Sequence, residues 1–364
     1  MAGLFAGFFA PWLIYALILL VHLILPARQV AGYVHDENTG ELLRYRLNGP
    51  LVLVALVGLW FGAGYSRLLP WDWLYTHRWP SLAGSCVLGL IISAAAVLPF
   101  KGHGGHGRSF RADFYPGRAL NISIFRGRVD VKMYLYLVGA VMLGLNILAF
   151  TAHHLLLFGT PSSTGVLVYA GLFFWFIADY LVFERVHLYT YDIFAERVGF
   201  KLLWGCFAFY PYFYLVGLWA ASGVAGSPLP VWQAVTAVCV FYAGWMLSRG
   251  ANMQKYYFKT MPDRAFLGII QPRALRGNGH ALLYSGFWRV ARHVNYLGEF
   301  LMATGLTLAL GIPGSLIAWL YPLYYIVLLV PRERADERRC AAKYGELWKE
   351  YVRRVPHRII PGLY

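Results

Sequence analysis

Two clusters of polar residues in the carboxyl-terminal third have the types and spacing to bind a charged ligand. Lys255 and Lys259 stand four residues apart, so on a helix both ammonium groups share one face and suit a phosphate. Arg292, His293 and Asn295 lie among aromatic residues just before an apolar run. Polar groups at that depth in a membrane are costly unless they meet partners or a ligand, so this cluster predicts a pocket. The lysines leave a second interpretation open, which is anchoring to lipid headgroups.

A third cluster follows the last apolar run and combines a cation with a carboxylate. Arg332 and Asp336 are four residues apart, which places both on one helix face at the membrane surface. There the guanidinium can bind an anionic cofactor and the carboxylate can hold a proton. Mixed charge at helical spacing is also typical of a solvated face, and a structural pair between these two residues is the alternative.

Other motif-like strings give weaker evidence of a functional site. Residues 102–107 fit G-x-G-x-x-G, but they follow an apolar run and do not lie between a strand and a helix, which argues against a dinucleotide-binding βαβ unit. His103 and His106 lack a nearby acidic or thiolate partner, so no metal site is predicted. The four cysteines show no C-x-x-C spacing, and we expect buried thiols instead of disulfides or zinc ligands.

The composition indicates a membrane protein. Of 364 residues, 59% are hydrophobic and only 13% are charged, whereas soluble domains carry roughly 25% charged residues. The net charge of +15 argues against an acidic or disordered chain and indicates anionic lipid or ligand outside the bilayer core. No internal repeat is evident, which disfavours a transporter and indicates one domain.

Apolar runs of about 20 residues predict helices that span the bilayer. The fold class predicted is an all-α integral membrane protein with about nine to ten transmembrane helices and a cofactor region at its carboxyl-terminal, cytoplasmic side. Within this single polytopic domain, 1–131 holds the first spans and a basic loop, 132–248 the central spans, and 249–364 the cofactor-binding and catalytic part. The predicted spans are 7–26, 50–66, 80–99, 132–152, 164–183, 200–222, 231–248, 297–312 and 314–330.

The distribution of lysine and arginine predicts the orientation, since positively charged short loops stay cytoplasmic. The amino terminus is then outside. From Arg249 onward lie 17 of the 32 basic residues, so this third is where an anionic cofactor is expected. The host membrane is the endoplasmic reticulum for a eukaryotic protein and the inner membrane for a bacterial one. The predicted cytoplasmic loops are 27–49, 100–131, 184–198, 249–296 and 331–364.

Six blocks of the sequence resemble the sterol reductases, the family of sterol C-14 reductase, 7-dehydrocholesterol reductase and the membrane domain of lamin B receptor. The order and spacing of the last three blocks make the resemblance specific. The carboxyl-terminal pieces also resemble isoprenylcysteine methyltransferases, which use S-adenosylmethionine; this alternative class needs neither Lys255 nor Lys259. The blocks are 113–121, 179–192, 249–255, 282–298, 332–337 and 343–361.

The resemblance implies an enzyme that uses NADPH to reduce a sterol carbon–carbon double bond, by protonation followed by hydride transfer. We expect the 14,15 bond, with the C-7 or side-chain bond as the alternative. Expected partners are the sterol substrate and membrane lipid, with no nucleic acid and no metal. Asp336 resembles the family's proton-delivering acid. The expected cofactor-binding residues are Lys255, Lys259, Trp288, Arg292, His293, Asn295, Arg332 and Tyr351.

The chain departs from the family pattern at three positions. Phe176 stands where the family has a tyrosine that is a candidate proton donor, so we expect Tyr180 to substitute, with Tyr189, Tyr191 or a different substrate as alternatives. Glu184, in the same block, is also predicted to be catalytic.

The other two departures flank the third cluster. Pro331 replaces a histidine and is expected to weaken the continuity of the last helix. Ala335 replaces an arginine and removes one cation from the expected cofactor site.

Overall fold

A computed structural model describes residues 1–36, 39–98, 109–226, 228–277 and 279–364. The chain forms two compact units, residues 1–227 and 228–364. The string 102–107, with His103 and His106, lies outside the described residues.

Unit 1 consists of twelve helices and two hairpins within its described residues. A π-helical turn at Gly205–Phe209 joins two of the helices. The helices are α1 (Ala2–Ile24), α2 (Gly49–Tyr65), α3 (Trp73–Thr76), α4 (Arg78–Val97), α5 (Phe110–Phe114), α6 (Val131–Ser162), α7 (Thr164–Val182), α8 (Glu184–His187), α9 (Tyr191–Phe194), α10 (Phe200–Trp204), α11 (Tyr210–Phe213) and α12 (Val216–Ala221). The strands are β1 (Arg28–His35) paired with β2 (Leu42–Leu47), and β3 (Ser123–Ile124) paired with β4 (Val129–Asp130).

Helix α6 is the centre of unit 1. Its side chains are mostly apolar and mostly buried, because α1, α2, α7 and α11 pack around it. It extends well beyond the predicted end at residue 152 and changes direction at Gly159, whose φ of 72° lies in the left-handed region that glycine tolerates. These four helices are therefore arranged around one buried axis.

Unit 2 contains a pair of long helices, a shorter one between them and a carboxyl-terminal helix. A 3₁₀ turn at Gly286–Arg289 precedes the shorter helix. The elements are α13 (Val231–Thr260), β5 (Ala274–Gly277), β6 (His280–Leu283), α14 (Val294–Ala309), α15 (Leu316–Tyr344) and α16 (Glu346–Arg354).

Glycines allow α13 and α14 to pack with their backbones in close contact. A Cβ atom on Gly298 would lie 2.5 Å from the amide nitrogen of Ser248 and 2.6 Å from the carbonyl oxygen of Gly244. One on Gly305 would lie 2.7 Å from the amide nitrogen of Phe241. Small residues are the usual means by which membrane helices approach this closely. The crossing brings the carboxyl-terminal half of α13 beside the start of α14.

The fold class is confirmed, because the described residues are mainly helical and apolar. Seven described helical segments are long and apolar enough to cross a membrane. They are α1, α4, α6, α7, α13, α15 and the stretch Phe200–Ala221, which contains α10, the π-helical turn, α11 and α12. The predicted spans at 50–66 and 297–312 are also helices, but α2 has 17 residues and α14 has 16. At 1.5 Å per residue they measure about 24–26 Å, short of a hydrocarbon core of about 30 Å. The count of nine to ten spans is therefore not confirmed.

Two expectations about local structure were wrong. Helix α15 continues through Pro331 as far as Tyr344; a single proline removes one backbone hydrogen bond, and the turns on either side keep the helix intact. The segment 27–49 was expected to be a loop and instead forms the β1–β2 hairpin. In unit 2, β5 and β6 pair with Gly277 opposite His280, and the Asn278-Gly279 dipeptide between them is a recognisable hairpin signal.

The crossing of α13 and α14 predicts the effect of adding one methyl group. Gly298→Ala should lower the melting temperature of the detergent-solubilised protein by several degrees, because overpacking costs about 1–3 kcal/mol. Gly171→Ala is the matched control, since nothing lies within 4 Å of its Cβ position on α7; alanine should leave the melting temperature unchanged or raise it slightly. Equal melting temperatures for the two variants would contradict the packing described.

Candidate functional site

The basic end of α13 and the 3₁₀ turn form the first part of the site. The ammonium nitrogen of Lys255 lies 5.6 Å from the ring centroid of Trp288, within range of a cation–π interaction. The indole nitrogen of Trp288 donates a 2.9 Å hydrogen bond to the carbonyl oxygen of Ala251. Lys259, exposed one turn further along, and Asp336 both lie within electrostatic range of Lys255. Lys255 therefore lies over a fixed aromatic face, and a second cation, Lys259, lies within electrostatic range of it.

Gln254 holds this turn against α13. Its buried side-chain amide donates to the carbonyl oxygen of Ser285 at 2.9 Å and accepts from the amide of Phe287 at 3.0 Å. Gly286 between them has a φ of 60°, and a Cβ atom there would lie 2.5 Å from Gln254 Nε2. Sequence reasoning did not select Gln254 as a site residue, although it adjoins Lys255 in a matched block. Its effect is to hold the turn that carries Trp288.

Arg292 is buried and its guanidinium binds other parts of the chain. It is 4% exposed. Its Nε lies 2.5 Å from Glu337 Oε1, and its Nη1 donates to the carbonyl oxygens of Val355 and Pro356 at 2.6 and 2.9 Å. These contacts favour a positioning role for Arg292, which joins the start of α14 to α15 and to the chain after α16.

His293 and Asn295 present polar atoms that have no partner in the described structure. His293 Nε2 and Asn295 Oδ1 are buried without a hydrogen bond. Burial, and then the charge of Lys255 followed by other cations, lowers the pKa of His293 to about 3, so the imidazole is neutral. Asn295 Nδ2 lies 3.5 Å from Asn252 Oδ1 on α13. Buried polar atoms are usually paired, so unsatisfied ones at the edge of a basic cluster indicate a polar ligand.

Helices α15 and α16 supply the remaining residues. Asp336 is half-buried, and its Oδ2 accepts a weak contact from Cys340 Sγ at 3.9 Å. Tyr351 is buried against Trp348, with ring centroids 5.1 Å apart; burial raises the pKa of Tyr351 well above its usual range, so its hydroxyl stays protonated. Arg332 contributes its charge to the same cluster, within electrostatic range of His293. Unit 2 thus brings together the nine predicted residues that follow position 249.

Three potential metal ligands also meet here, but they form an ion network. Ligand atoms of His293, Glu333 and Glu337 lie within 4.8 Å of one another. Glu337 is paired with Arg292, and Glu333 Oε1 lies 3.6 Å from Arg358 Nη1. Since both carboxylates already face arginines, the donor set suits internal charge pairing better than a cation.

The other two predicted catalytic residues, Tyr180 and Glu184, belong to unit 1. The Tyr180 ring lies 6.2 Å from that of Phe176, one turn earlier on α7, and 4.1 Å from that of His187. Tyr180 therefore presents a hydroxyl-bearing ring beside the position where the family tyrosine is missing. Glu184 is 7% exposed, and its Oε2 accepts a 3.0 Å hydrogen bond from the Gly49 amide at the start of α2. This bond satisfies a free helix N-terminal amide.

The class of protein follows from these features: a polytopic, largely helical membrane protein whose second unit carries a basic, partly buried site. A family model described as "Ergosterol biosynthesis ERG4/ERG24 family" matches residues 5–364, and the chain belongs to this family. The predicted family is confirmed.

Similar proteins cover nearly the whole chain. Delta(14)-sterol reductase of Arabidopsis thaliana is 33% identical over 94% of this chain and 91% of its own length. Delta(14)-sterol reductase of Methylotuvimicrobium alcaliphilum is 33% identical over 99% of this chain and 83% of its own. Delta(14)-sterol reductase TM7SF2 of Mus musculus is 35% identical over 98% of this chain and 86% of its own.

Glu184 predicts a pH dependence of stability. Burial raises the pKa of Glu184 from 4.5 to about 7. Between these values the folded state binds more protons than the unfolded state, so the free energy of unfolding should fall as pH rises through this window and level off above it. The full effect is on the order of 3 kcal/mol.

Glu184→Gln should remove this dependence while keeping an oxygen for the Gly49 amide. Melting temperatures at pH 5 and pH 7.5 should therefore differ less for this variant than for the wild type. Glu41→Gln, at an exposed glutamate, should behave like the wild type. An identical pH response in wild type and Glu184→Gln would show that Glu184 does not titrate in this range.

Proposed function

We propose that this protein is an NADPH-dependent enzyme that reduces a sterol carbon–carbon double bond, with the 14,15 bond as its substrate bond. The observation that carries the proposal is the cluster of Lys255, Lys259, Trp288 and Arg332 around unsatisfied polar atoms, in a chain whose relatives are named Delta(14)-sterol reductase.

The residues of unit 2 fit a nicotinamide dinucleotide. Lys255, Lys259 and Arg332 would bind its phosphates, with Lys259 contributing charge but no bidentate contact. Trp288 offers a face for stacking, and its indole nitrogen is already satisfied by Ala251. The unsatisfied atoms of His293 and Asn295 suit the hydroxyl or amide groups of such a cofactor. The cofactor, when bound, supplies the hydride.

The proton must come from the protein, because an isolated alkene is a weak base that needs a positioned acid in a site from which water is excluded. Asp336 is half-buried, one helical turn from Arg332 and within electrostatic range of Lys255, and these features support its assignment to this role. Tyr180, whose ring is held beside Phe176 and His187, is the candidate donor from unit 1. Aromatic rings would stabilise the positive charge that develops on the sterol.

Residues near the site resemble two kinds of sterol reductase. Gly250 and Leu297 resemble the C-14 reductases, whereas residues 285–288 and 290–293 look more like 7-dehydrocholesterol reductase. The names of the relatives favour C-14. Gly250 accommodates the Phe287 ring, whose nearest atom would lie 2.3 Å from a Cβ there, so the packing of this turn depends on the glycine.

Cofactor binding tests the first half of the proposal. NADPH should raise the melting temperature of the purified protein more than NADH or S-adenosylmethionine does. Lys255→Met should raise the Kd for NADPH about 10-fold or more, because a charge-assisted contact is lost. Lys349→Met, at an exposed lysine on α16, should leave the Kd unchanged. Stabilisation by S-adenosylmethionine alone would contradict the reductase assignment and favour the methyltransferase class.

Turnover tests the second half. Product analysis with sterols unsaturated at position 14, 7 or 24 should show reduction of the 14,15 bond. Asp336→Asn should lower kcat about 100-fold or more while leaving the Kd for NADPH within a few-fold of wild type, because general acid catalysis contributes 10²–10⁴-fold. Turnover that survives in Asp336→Asn but is lost in Tyr180→Phe would reassign proton delivery to Tyr180.

A further inference from the structure

The ten residues after α16, 355–364, bind the segment that carries His293 and Asn295. We call residues 355–364 the tail. The backbone amides of Arg292 and His293 donate to the carbonyl oxygens of His357 and Arg358 at 2.9 and 2.8 Å. The Arg292 guanidinium adds two bonds to tail carbonyls. Four hydrogen bonds therefore connect the tail to one short stretch of the proposed cofactor site.

The tail is itself held in one conformation by Tyr364. The Tyr364 carbonyl oxygen accepts hydrogen bonds from the amides of Arg358, Ile359 and Ile360, at 3.0, 3.0 and 3.1 Å. Gly362, with a φ of 77°, allows the chain to turn back for these bonds. The side chain of Ile359 is 1% exposed. The loop that presents the His357 and Arg358 carbonyls is thus closed on its own end.

The side chain of Tyr364 connects this loop to α15. Its hydroxyl donates to Glu333 Oε2 at 3.1 Å and accepts from Arg334 Nε at 3.3 Å. The Arg358 guanidinium lies 5.6 Å from the ring centroid. Glu333 is 0% exposed and directly follows Arg332. The Tyr364 hydroxyl therefore contacts a buried carboxylate that has an oxygen within 4.8 Å of a ring nitrogen of His293 in the proposed cofactor site.

We propose that Tyr364 is a positioning residue for the dinucleotide site: it holds the Glu333 carboxylate away from the phosphate-binding cations and keeps the tail against Arg292 and His293. This inference rests on the proposed function. Without the hydroxyl, Oε2 of Glu333 loses the partner that orients it, and nearby cations attract the carboxylate. Lys255 and Arg332 both lie within electrostatic range of His293, so a carboxylate that moves toward them competes with the cofactor phosphates.

Tyr364→Phe should raise the Kd for NADPH about 10-fold, the loss expected for a hydrogen bond to a charged group. The kcat at saturating NADPH should stay within about 2-fold, because Tyr364 does not act in the chemistry. Tyr65→Phe, at a tyrosine that is 89% exposed, should match the wild type in both. Thermal unfolding of each variant checks that it is folded.

The double variant Tyr364→Phe with Glu333→Gln separates positioning from general destabilisation. If the released charge of Glu333 is what weakens binding, glutamine should restore the Kd to within about 3-fold of wild type, whereas a merely loosened fold would bind no better. If the wild type binds NADPH and Tyr364→Phe binds it with the same Kd, this inference is overturned and the proposed function stands. A wild type that does not bind NADPH would overturn the proposed function, and this inference with it.

Discussion

The buried ion pair between Arg292 and Glu337 is the interaction on which the organisation of unit 2 depends. Removing two charges from water costs several kcal/mol per ion, and the pair is stable only because further hydrogen bonds from the Arg292 guanidinium reach the carbonyls of Val355 and Pro356. Each partner adjoins a residue of the proposed site, since His293 follows Arg292 and Asp336 precedes Glu337. The pair therefore connects the segment before α14, which carries the unsatisfied imidazole, to the part of α15 that carries the acid proposed to deliver the proton.

A second constraint comes from the packing of α13 against α14. Gly298 meets Gly244 and Ser248 backbone to backbone, so the next turn of α13 brings Asn252 beside Asn295. From there Lys255 is one turn further on, where Trp288 lies over it. A close helix crossing within the apolar part of the unit thus determines where charged groups lie at its basic end. A larger side chain at the crossing would therefore displace the cations although the cationic residues themselves are unchanged.

Unit 1 shows how a predicted catalytic residue can also be structural. Glu184 satisfies the first amide of α2, and burial raises its pKa to about 7. Perturbed carboxyls cluster at functional sites, but structural networks perturb them too. The hydrogen bond to Gly49 accounts for where Glu184 sits, and its catalytic role stays a prediction. Tyr180 is different, because its ring is held by aromatic neighbours and no described hydrogen bond occupies its hydroxyl.

Much of the architecture was predictable because it depends on local properties of the chain. Eight of the nine predicted spans each overlap one helix, and 200–222 overlaps α10, the π-helical turn, α11 and α12. A run of apolar residues in lipid must satisfy its backbone internally, which is why helices form there. The residues of the proposed site were selected by type, spacing and family resemblance. The hairpins were missed: the segments of β1–β2 and β3–β4 carry weak signals of their own, and the Asn278-Gly279 dipeptide between β5 and β6 was not interpreted as a turn. The continuity of α15 through Pro331 was missed too, because a local rule was applied to a helix that its neighbouring turns sustain.

Composition and local pattern were enough to predict the membrane class, the helices and the chemical groups available for binding. Which of those groups remain available to a ligand depends on the folded arrangement of distant segments. Arg292 and His293 are neighbours in the chain, yet the guanidinium binds carbonyls more than 60 residues away while Nε2 of the imidazole has no described partner. Hydropathy and helix propensity act over only a few turns of the chain. The partner of a buried charge is instead the distant segment that the fold brings within hydrogen-bonding distance.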